Sequence, residues 1–463
     1  MSAQLAGKIS VKHSYALLAI SEAFVMLSCL FLSMRNSMHS FLDHMLCLSC
    51  ITFVIIGFLG MAAMGLYHAR QRGTPSEQVA RIFLSFTLVS VAEGIFFYTI
   101  PMSDIQPQGL ILALVLSFVL ICVLRYGFTK LHTTGLFKHR ALVLGAGERA
   151  CIIQDGLRRA SDRKGFNLLG YVKIEGDACC IRQQDQLTVD LEHLFKFVQH
   201  HKIEEVILAA DQHEDCLPMG ELLASRLAGI HVIDIASFIE RESGKIPLKL
   251  LPPSWMACGR GYRISRNVVR MGKRLFDIFI SLFLLILVWP IMLITALLIR
   301  LEGGSGAPIL YQQTRVGFRG EPFEIFKFRS MKVNAENDGA VWARKGDQRV
   351  TPVGAFIRKY RIDELPQLFN ILHGEMSFIG PRPERPEFVD KLSRNLPYYD
   401  ARHQVKPGLT GWAQICYSYG SNEEEALEKL QYDLYYVKNF SFLLDTIIMV
   451  QTVEVILFGK GAR

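Results

Sequence analysis

Five long apolar runs constrain this chain more than anything else in its sequence. Four crowd the first quarter, roughly Tyr15 to Met34, Phe41 to Tyr67, Ile82 to Ile100 and Leu110 to Leu124, and the fifth covers Leu275 to Ile299. A helix of about 20 apolar residues crosses the hydrocarbon of a bilayer with every backbone group satisfied internally. The first four runs therefore predict a transmembrane four-helix domain over residues 1–130, its last member the shortest. The first run lacks a small-residue cleavage site and a second follows almost at once, so it reads as a span and not as a removable signal peptide. Lys8 and Lys12 precede it, Arg70 and Arg72 follow the second run, and Arg125, Lys130, Lys138 and Arg140 follow the fourth. The intervening loops carry Arg35 alone and, near Asp104, no basic residue. The positive-inside rule then places the N-terminus and everything after the fourth span in the cytoplasm. Glu22 and Glu93 fall inside the spans, where pairing within the bundle competes with a functional role.

From Arg140 the pattern becomes that of a soluble α/β unit. Ala141–Leu144, Leu169–Ile174, Glu204–Ala209 and Ile230–Ile235 read as strands separated by helical stretches, which predicts a parallel sheet over residues 140–250. The first strand runs into Gly145-Ala146-Gly147-Glu148-Arg149-Ala150, a G-x-G-x-x-A form of the dinucleotide fingerprint, and Glu175 stands where a ribose-binding carboxylate would. Gly145 and Gly147 either admit a phosphate to a helix N-terminus or simply make a tight strand-to-helix turn. The proline-bearing stretch that follows predicts a linker over 251–270 and a boundary near residue 265.

The fifth apolar run begins a third domain, residues 271–463. Its length permits a span, but Pro290 interrupts it past the midpoint, removing a hydrogen bond and bending the helix. A helix over 275–299 that enters the cytoplasmic leaflet, breaks at Pro290 and returns keeps the polar sequence beyond it on the cytoplasmic side. That sequence is dense in basic residues and turns: Phe326-Lys327-Phe328-Arg329-Ser330-Met331, Arg358-Lys359-Tyr360-Arg361-Ile362-Asp363-Glu364-Leu365-Pro366-Gln367-Leu368, Gly380-Pro381-Arg382-Pro383 and Lys406-Pro407-Gly408-Leu409-Thr410-Gly411-Trp412. Asp363 and Glu364 are adjacent, so they face different ways and suit divided labour, one attacking or positioning and the other holding a hard cation. Arg358, Arg361 and Arg382 match phosphate oxygens with their guanidinium forks. The competing reading is a solvated salt-bridge network at a helix start. Tyr432 to Phe458 is helical in pattern, edged by Lys438 and Lys460, and fits either the membrane surface or the domain core.

These blocks, with Lys273-Arg274-Leu275-Phe276-Asp277 before them, resemble in identity and order the bacterial sugar transferase family, the monotopic polyprenyl-phosphate phosphoglycosyl transferases. The whole chain resembles the long form of that family, and more narrowly the exopolysaccharide transferases associated with exosortase systems. The resemblance implies a membrane protein with an N-terminal four-helix transmembrane bundle, a middle Rossmann-like α/β domain and a C-terminal α/β catalytic domain carrying the re-entrant helix. It implies Asp363 as nucleophile toward the β-phosphorus of a UDP-sugar, Glu364 as ligand of Mg2+, and substrate binding by Arg358, Arg382, Lys327, Arg329 and Gln414. The partners it implies are a UDP-sugar, polyprenyl (undecaprenyl) phosphate and membrane lipids in a bacterial inner membrane, with a homo-oligomer left open. The family's helix break falls on a Ser-Pro pair; here it is Trp289-Pro290, without a hydroxyl to cap the freed carbonyls.

Other classes fit less well. No Tyr-x-x-x-Lys group follows the fingerprint in the middle block, which argues against a dehydrogenase or epimerase. A scaffold with a dead transferase end has no physical reason to keep Asp363, Glu364 and Arg382 together. The formal charge of +8 is distributed around turns and carboxylates, not along a binding helix, which argues against nucleic acid. Ten cysteines include no pair among polar ligands, which argues against a zinc or disulfide framework.

Overall fold

The structure is a computed structural model that describes residues 11–34, 44–64, 66–67, 75–99, 107–133, 138–157, 165–178, 180–211, 216–251, 267–304, 306–333, 347–417 and 423–457. The chain divides into two compact units, Met1–Ser243 and Gly244–Arg463. Four helices occupy the positions of the four N-terminal runs: α1 Val11–Met34, α2 His44–Ala63, α3 Pro75–Thr99 and α4 Pro107–Thr133. Met26, Leu30, Phe53, Met61, Ile82, Val89, Ala113 and Ile121 bury between them, while Phe24, Ile55, Phe83 and Val123 face outward. An apolar exterior over an apolar interior is the signature of helices that meet lipid. Two of these helices contain stretches long and apolar enough to cross a membrane, Tyr15–Ser33 and Gln108–Leu131, and Cys50–Ala62 is a shorter apolar stretch. The fourth run, expected to be the shortest, thus lies in a longer helix than α1. The flanking charges Lys8, Arg35, Arg70 and Arg72, and Asp104, lie outside the described residues.

Of the two carboxylates inside this bundle, Glu22 is paired: Arg125 Nη2 donates to its Oε2 at 2.8 Å, and Arg125 Nε lies 2.6 Å from Oε1. Arg125 also donates to Leu66 O and lies over the Tyr67 ring. Glu93 is buried with neither carboxylate oxygen hydrogen-bonded among the described residues.

The parallel sheet expected in the middle block is present in the order β3-β2-β1-β4-β5, with β1 His139–Leu144, β2 Phe166–Val172, β3 Gln186–Leu187, β4 Glu205–Leu208 and β5 His231–Asp234. The central strand β1 is buried from Ala141 to Leu144, which explains its unbroken apolar run. The two-residue strand β3 is too short to show in the sequence. Helix α5, Glu148–Gly156, starts at the glycine turn as expected, and α6 Leu194–His200, α7 Met219–Leu227 and α8 Ile235–Ser243 follow in the same block. The chain leaves β1 for β2 on one side and β4 on the other, so the turn lies at the sheet's switch point, where this fold takes its ligands.

The protein fills that position itself. Asp211, just past β4, accepts from the amides of Glu148 and Arg149, both at 2.8 Å. Asp177, just past β2, accepts from Ala146 N at 2.7 Å and Ile174 N at 3.1 Å, and its other oxygen accepts from Asp211 N at 3.2 Å. A Cβ on Gly147 would lie 1.7 Å from Asp211 Oδ2, so the second glycine makes room for the protein's own carboxylate. Gly145 has φ +125° and backs onto the Ala209 backbone, which meets the demand of the tight turn. Glu175 is exposed and makes no hydrogen bond among the described residues.

In the second unit Gly244–Leu251, assigned by sequence largely to the middle block, packs under the C-terminal core: Ile246 and Leu248 bury against Leu430 and Leu434, and Trp412 Nε1 donates to Gly244 O at 2.7 Å. Helix α9 then runs from Asn267 to Gly303, 37 residues with Pro290 inside it. The helix runs unbroken through Pro290, so the proline lies within it and leaves no gap. Along α9 the inward positions recur at helical spacing. Asp277 and Ser281 are buried, Leu284 and Val288 pack on a core of Ile371, Met376 and Phe378, and Met292, Ala296 and Ile299 pack with Phe328 and Ile357. The outward face is apolar over the same length, with Leu275, Phe279, Ile286, Leu293 and Leu301 each at least 60% exposed. The stretch Arg270–Gly303 is long and apolar enough to cross a membrane.

Beyond α9 lie the antiparallel hairpin β6 Leu310–Val316 and β7 Pro322–Phe328, then helices α10 Pro352–Lys359 and α11 Gln367–His373. Strand β8 Ser377–Ile379 pairs in parallel with β9 Gly408–Thr410; α12 Pro386–Asn395 lies between them in the chain and α13 Trp412–Cys416 follows β9. The C-terminal helical stretch is two helices, α14 Glu423–Lys438 and α15 Phe442–Leu457. Tyr432, Tyr436, Val437 and Ile448 bury in the same core as Trp412, so the core reading of this stretch holds.

Replacing Asp211 by Ala strips the start of α5 of a charged cap, and the loss is expected to be about 2 kcal/mol. Thermal unfolding of the full chain in detergent or lipid, compared with Asp177→Ala and an exposed control such as Glu175→Ala, reads this directly.

Candidate active site

The adjacent carboxylates lie on a single 3-10 turn, Ile362–Glu364, between two helices. Helix α10 begins at Thr351, whose hydroxyl accepts from Gly354 N at 2.9 Å, with Pro352 at its first position. It ends at Lys359, and Arg361 then adopts φ +59°, a left-handed conformation that is costly for a residue with a Cβ. That reversal throws the chain into the tight turn carrying Asp363 and Glu364, and Pro366 starts α11 immediately after. Helix α11 closes on Gly374 at φ +92°, a glycine C-cap.

The turn divides the two carboxylates as adjacency predicted. Glu364 is buried and takes Arg382 Nη2 at 2.6 Å, Arg361 Nη1 at 3.5 Å and Lys327 Nζ at 3.9 Å. Its burial favours the neutral acid, but Arg382, Lys327 and Arg361 outweigh it and hold the carboxyl well below the usual range. Asp363 is half-buried, and its Oδ1 is shut from solvent without a hydrogen-bond partner. Burial and the neighbouring Glu364 charge push it up to about 6, against the pull of Lys327, Arg358 and Arg361. One carboxylate is therefore a fixed anion and the other is poised near neutrality with an oxygen to spare. Lys327 comes from strand β7, and its ammonium is lowered to about 8 by burial, partly restored by Glu364.

The five substrate-binding positions expected from the sequence fall into two groups. Arg382 and Lys327 meet Glu364 directly, and Arg358 acts on Asp363 through its charge. Arg329 stands at the end of α9, where Nη2 donates to Ile299 O at 3.2 Å beside Gly303, while Nη1 is buried without a partner. It complements the carbonyl end of the membrane helix. Gln414 donates to Leu409 O at 3.4 Å within its own turn. Neither has a described contact with the two carboxylates. Arg361, in contrast, faces Glu364 closely and was legible only as one of several basic residues around the pair.

Behind Arg382 lies a second polar layer that the sequence pattern left unmarked. Arg315 Nη1 donates to Pro383 O at 3.2 Å, and buried Arg402 bonds Arg382 O, Tyr399 Oη and Asp433 at 2.9, 2.7 and 2.8 Å. Asp433 sits in the aromatic helical run whose pattern fits either the membrane surface or the core and marks no charged partner.

As a chemical unit, the turn offers the half-buried Asp363 carboxylate, with one oxygen unpartnered, beside Glu364 and the cations Lys327, Arg358, Arg361 and Arg382. Such a set is suited to a ligand rich in phosphate charge. Among the described residues no group of three or more His, Cys, Asp or Glu side chains forms a metal cluster. Magnesium needs no such cluster, since it binds through one or two carboxylates plus substrate phosphates and keeps its remaining waters. The unpartnered Asp363 Oδ1 and the adjacent Glu364 fit that mode.

Comparison with known proteins bears on the same segment. The description "Bacterial sugar transferase" matches residues 268–459. The UDP-N-acetylgalactosamine-undecaprenyl-phosphate N-acetylgalactosaminephosphotransferase of Aeromonas hydrophila is 43% identical over 260 residues, 55% of this chain and 60% of that protein. A UDP-glucose:undecaprenyl-phosphate glucose-1-phosphate transferase of Xanthomonas campestris pv. campestris is 30% identical over 357 residues, 73% of this chain and 71% of that protein. Another protein of that description, from Klebsiella pneumoniae, is 42% identical over 192 residues, 41% of each chain. The chain thus spans 60% and 41% of the Aeromonas and Klebsiella proteins and reaches beyond the transferase segment in the Xanthomonas one. With its second unit matched almost from end to end and most of the Xanthomonas protein covered, this chain belongs to the bacterial sugar transferase family.

Proposed function

We propose that the chain transfers a sugar 1-phosphate from a UDP-sugar to undecaprenyl phosphate, or a similar polyprenyl phosphate, and so begins an exopolysaccharide or related glycan. The observation that carries this reading is the asymmetry of the pair: Asp363 keeps a buried, unpartnered oxygen while Glu364 is locked as an anion by three cations. An Asp363 oxygen attacks the β-phosphorus, the bond from that phosphorus to the bridging oxygen breaks, and UMP departs. An oxygen of the polyprenyl phosphate then attacks the same phosphorus, which frees the Asp363 carboxylate and leaves a sugar diphosphate on the lipid. Arg382, Arg361, Arg358 and Lys327 offset the charge that gathers on the phosphoryl oxygens. When bound, Mg2+ held by Glu364 and the donor's diphosphate screens the charge between nucleophile and donor.

The carrier's tail stays in the bilayer, so its headgroup is met at the interface. Two features of α9 support a helix that enters the cytoplasmic leaflet and returns. Both ends are tied to one folded unit: Asp277 accepts from Phe378 N and Ser377 Oγ at 3.0 and 3.1 Å, and Glu302 accepts from Val353 N at 3.0 Å. One face packs on that unit throughout while the other is apolar throughout. A helix crossing the bilayer would carry its far end away from the unit that grips its near one. With the four N-terminal helices as spans, the protein is a multi-pass inner-membrane enzyme whose catalytic domain lies on the cytoplasmic face. The glycine turn of the middle sheet is closed by Asp211 and Asp177, which favours a structural or regulatory role for that block.

The first test is UMP release by the lipid-embedded protein given Mg2+, undecaprenyl phosphate and either UDP-glucose or UDP-N-acetylgalactosamine. Release that depends on the lipid with one donor is expected; release of UDP instead would refute the mechanism. Asp363→Asn is expected to lower UMP release by about 10³-fold or more. The pH profile of kcat/KM is expected to be bell-shaped. Asp363 works ionised and is raised, so activity falls as pH drops through about 6; Lys327 works charged and is lowered, so activity falls as pH rises through about 8. Lys327→Arg should move the alkaline limb upward, and a limb that stays in place would remove Lys327 from the site.

A further inference from the structure

The turn that presents Arg382 is held carbonyl by carbonyl. Tyr436 Oη donates to Ile379 O at 3.1 Å, and Gly408 N donates to Pro381 O at 2.9 Å. Arg402 Nη2 donates to Arg382 O at 2.9 Å, Arg315 Nη1 to Pro383 O at 3.2 Å, and Val316 N to Glu384 O at 3.0 Å. Gly380 N donates to Thr410 O at 2.9 Å, and a Cβ on Gly380 would lie 2.3 Å from Lys406 O. Bonds at this density hold the backbone from which the Arg382 side chain departs toward Glu364.

Arg402 differs from the other members of this set. Its charge is answered by Asp433 at 2.8 Å, both side chains are buried, and its guanidinium also takes Tyr399 Oη and lies over the Tyr399 ring. The charges that govern Asp363 and Glu364 are those of Lys327, Arg358, Arg361 and Arg382. Arg402 is neutralised and stands behind them. The contact by which it reaches the site is the Arg382 carbonyl, so any influence it has on the chemistry passes through where that residue is placed.

We propose that Arg402, seated on Asp433 and Tyr399, is the positioning residue for Arg382: by fixing the Arg382 carbonyl it sets where that guanidinium meets Glu364. The proposal rests on the reading of Asp363 and Glu364 as the reacting pair. It separates two jobs that a plain core salt bridge would not separate. A bridge that only fastens the 3-10 segment Tyr399–Gln404 to α14 contributes to stability and has no particular coupling to Arg382. A positioning residue loses its effect once the side chain it positions is gone.

A double-mutant cycle decides between these. Arg402→Met alone leaves Asp433 buried without its cation and risks unfolding, so it is paired with Asp433→Leu, which removes both charges together. The pair is expected to lower kcat/KM for UMP release about 10–100-fold, the usual range for a residue supporting a site from behind. Arg382→Ala is expected to lower it about 10²–10³-fold. Combined, they should lose no more than Arg382→Ala alone, because both remove the same contact. Losses that multiply would overturn the proposal. A second measurement needs no substrate: amide hydrogen exchange across 377–385 in the lipid-embedded protein. The paired variant should exchange faster there while the β6–β7 hairpin keeps its protection, and unchanged exchange across 377–385 would overturn the proposal by itself. A wild-type protein that releases no UMP would sink the transferase reading, and the exchange experiment would still judge Arg402.

Discussion

The contact on which the site depends is Arg382 with Glu364. Two carboxylates on consecutive residues, one buried and one half-buried, repel each other and both resist ionisation. Left alone, both would hold their protons more tightly than ordinary carboxylates do. Arg382 at 2.6 Å, helped by Arg361 and Lys327, resolves the competition by committing Glu364 to its charged form. Burial first, and the committed charge of Glu364 second, then raise Asp363 to about 6. A carboxylate of that affinity is ionised at neutral pH and yet more nucleophilic than an ordinary aspartate. The division of labour is thus a consequence of where one guanidinium sits, and the density of hydrogen bonds behind Arg382 follows from that.

The cations serve both the empty and the occupied site. Lys327, Arg358, Arg361 and Arg382 outnumber the two carboxylates, so the site carries excess positive charge before a ligand arrives. In the proposed reaction a diphosphate donor would compensate that excess. Preorganised donors of this kind cost little reorganisation when charge develops on the phosphoryl oxygens. The strained backbone of Arg361 belongs to the same design. It holds the short turn that separates the two carboxylates, and a relaxed helical path there would bring the chain straight from α10 into α11.

Much of this was legible in the sequence, for physical reasons that differ from element to element. Strand β1 and the glycine turn were plain because a fully buried parallel strand is an unbroken apolar run and a tight turn needs glycine. Strand β3 is two residues long and leaves no pattern. The Asp363-Glu364 pair stood out because adjacent carboxylates amid arginines are costly without a use. Arg329 looked the same as Lys327 in sequence, two positions away on one polar stretch. Yet Lys327 lies within β7 and faces the carboxylates, whereas Arg329 lies past its end and closes α9. Arg402 and Asp433 were invisible because the partners are 31 residues apart and one sits in an aromatic helical run that marks no charged partner. The glycine fingerprint left two readings open: its tight turn is local and legible, whereas the carboxylates that cap it come from loops after β2 and β4, which local sequence cannot reveal.

The membrane helix and the reacting pair are built on the same few backbone positions. Phe328 and Ile357 bury with Ile299 of α9, and their chain neighbours are Lys327 and Arg358, two of the cations that act on Asp363. At the other end of α9, Asp277 fixes Ser377 and Phe378, and that strand leads within a few residues to Arg382. The apolar core against the anchor and the charged ring around the carboxylates are therefore two faces of one thin layer. The anchor is accordingly part of the site's framework, and a soluble version of the second unit would have to replace its apolar face without disturbing residues one position away.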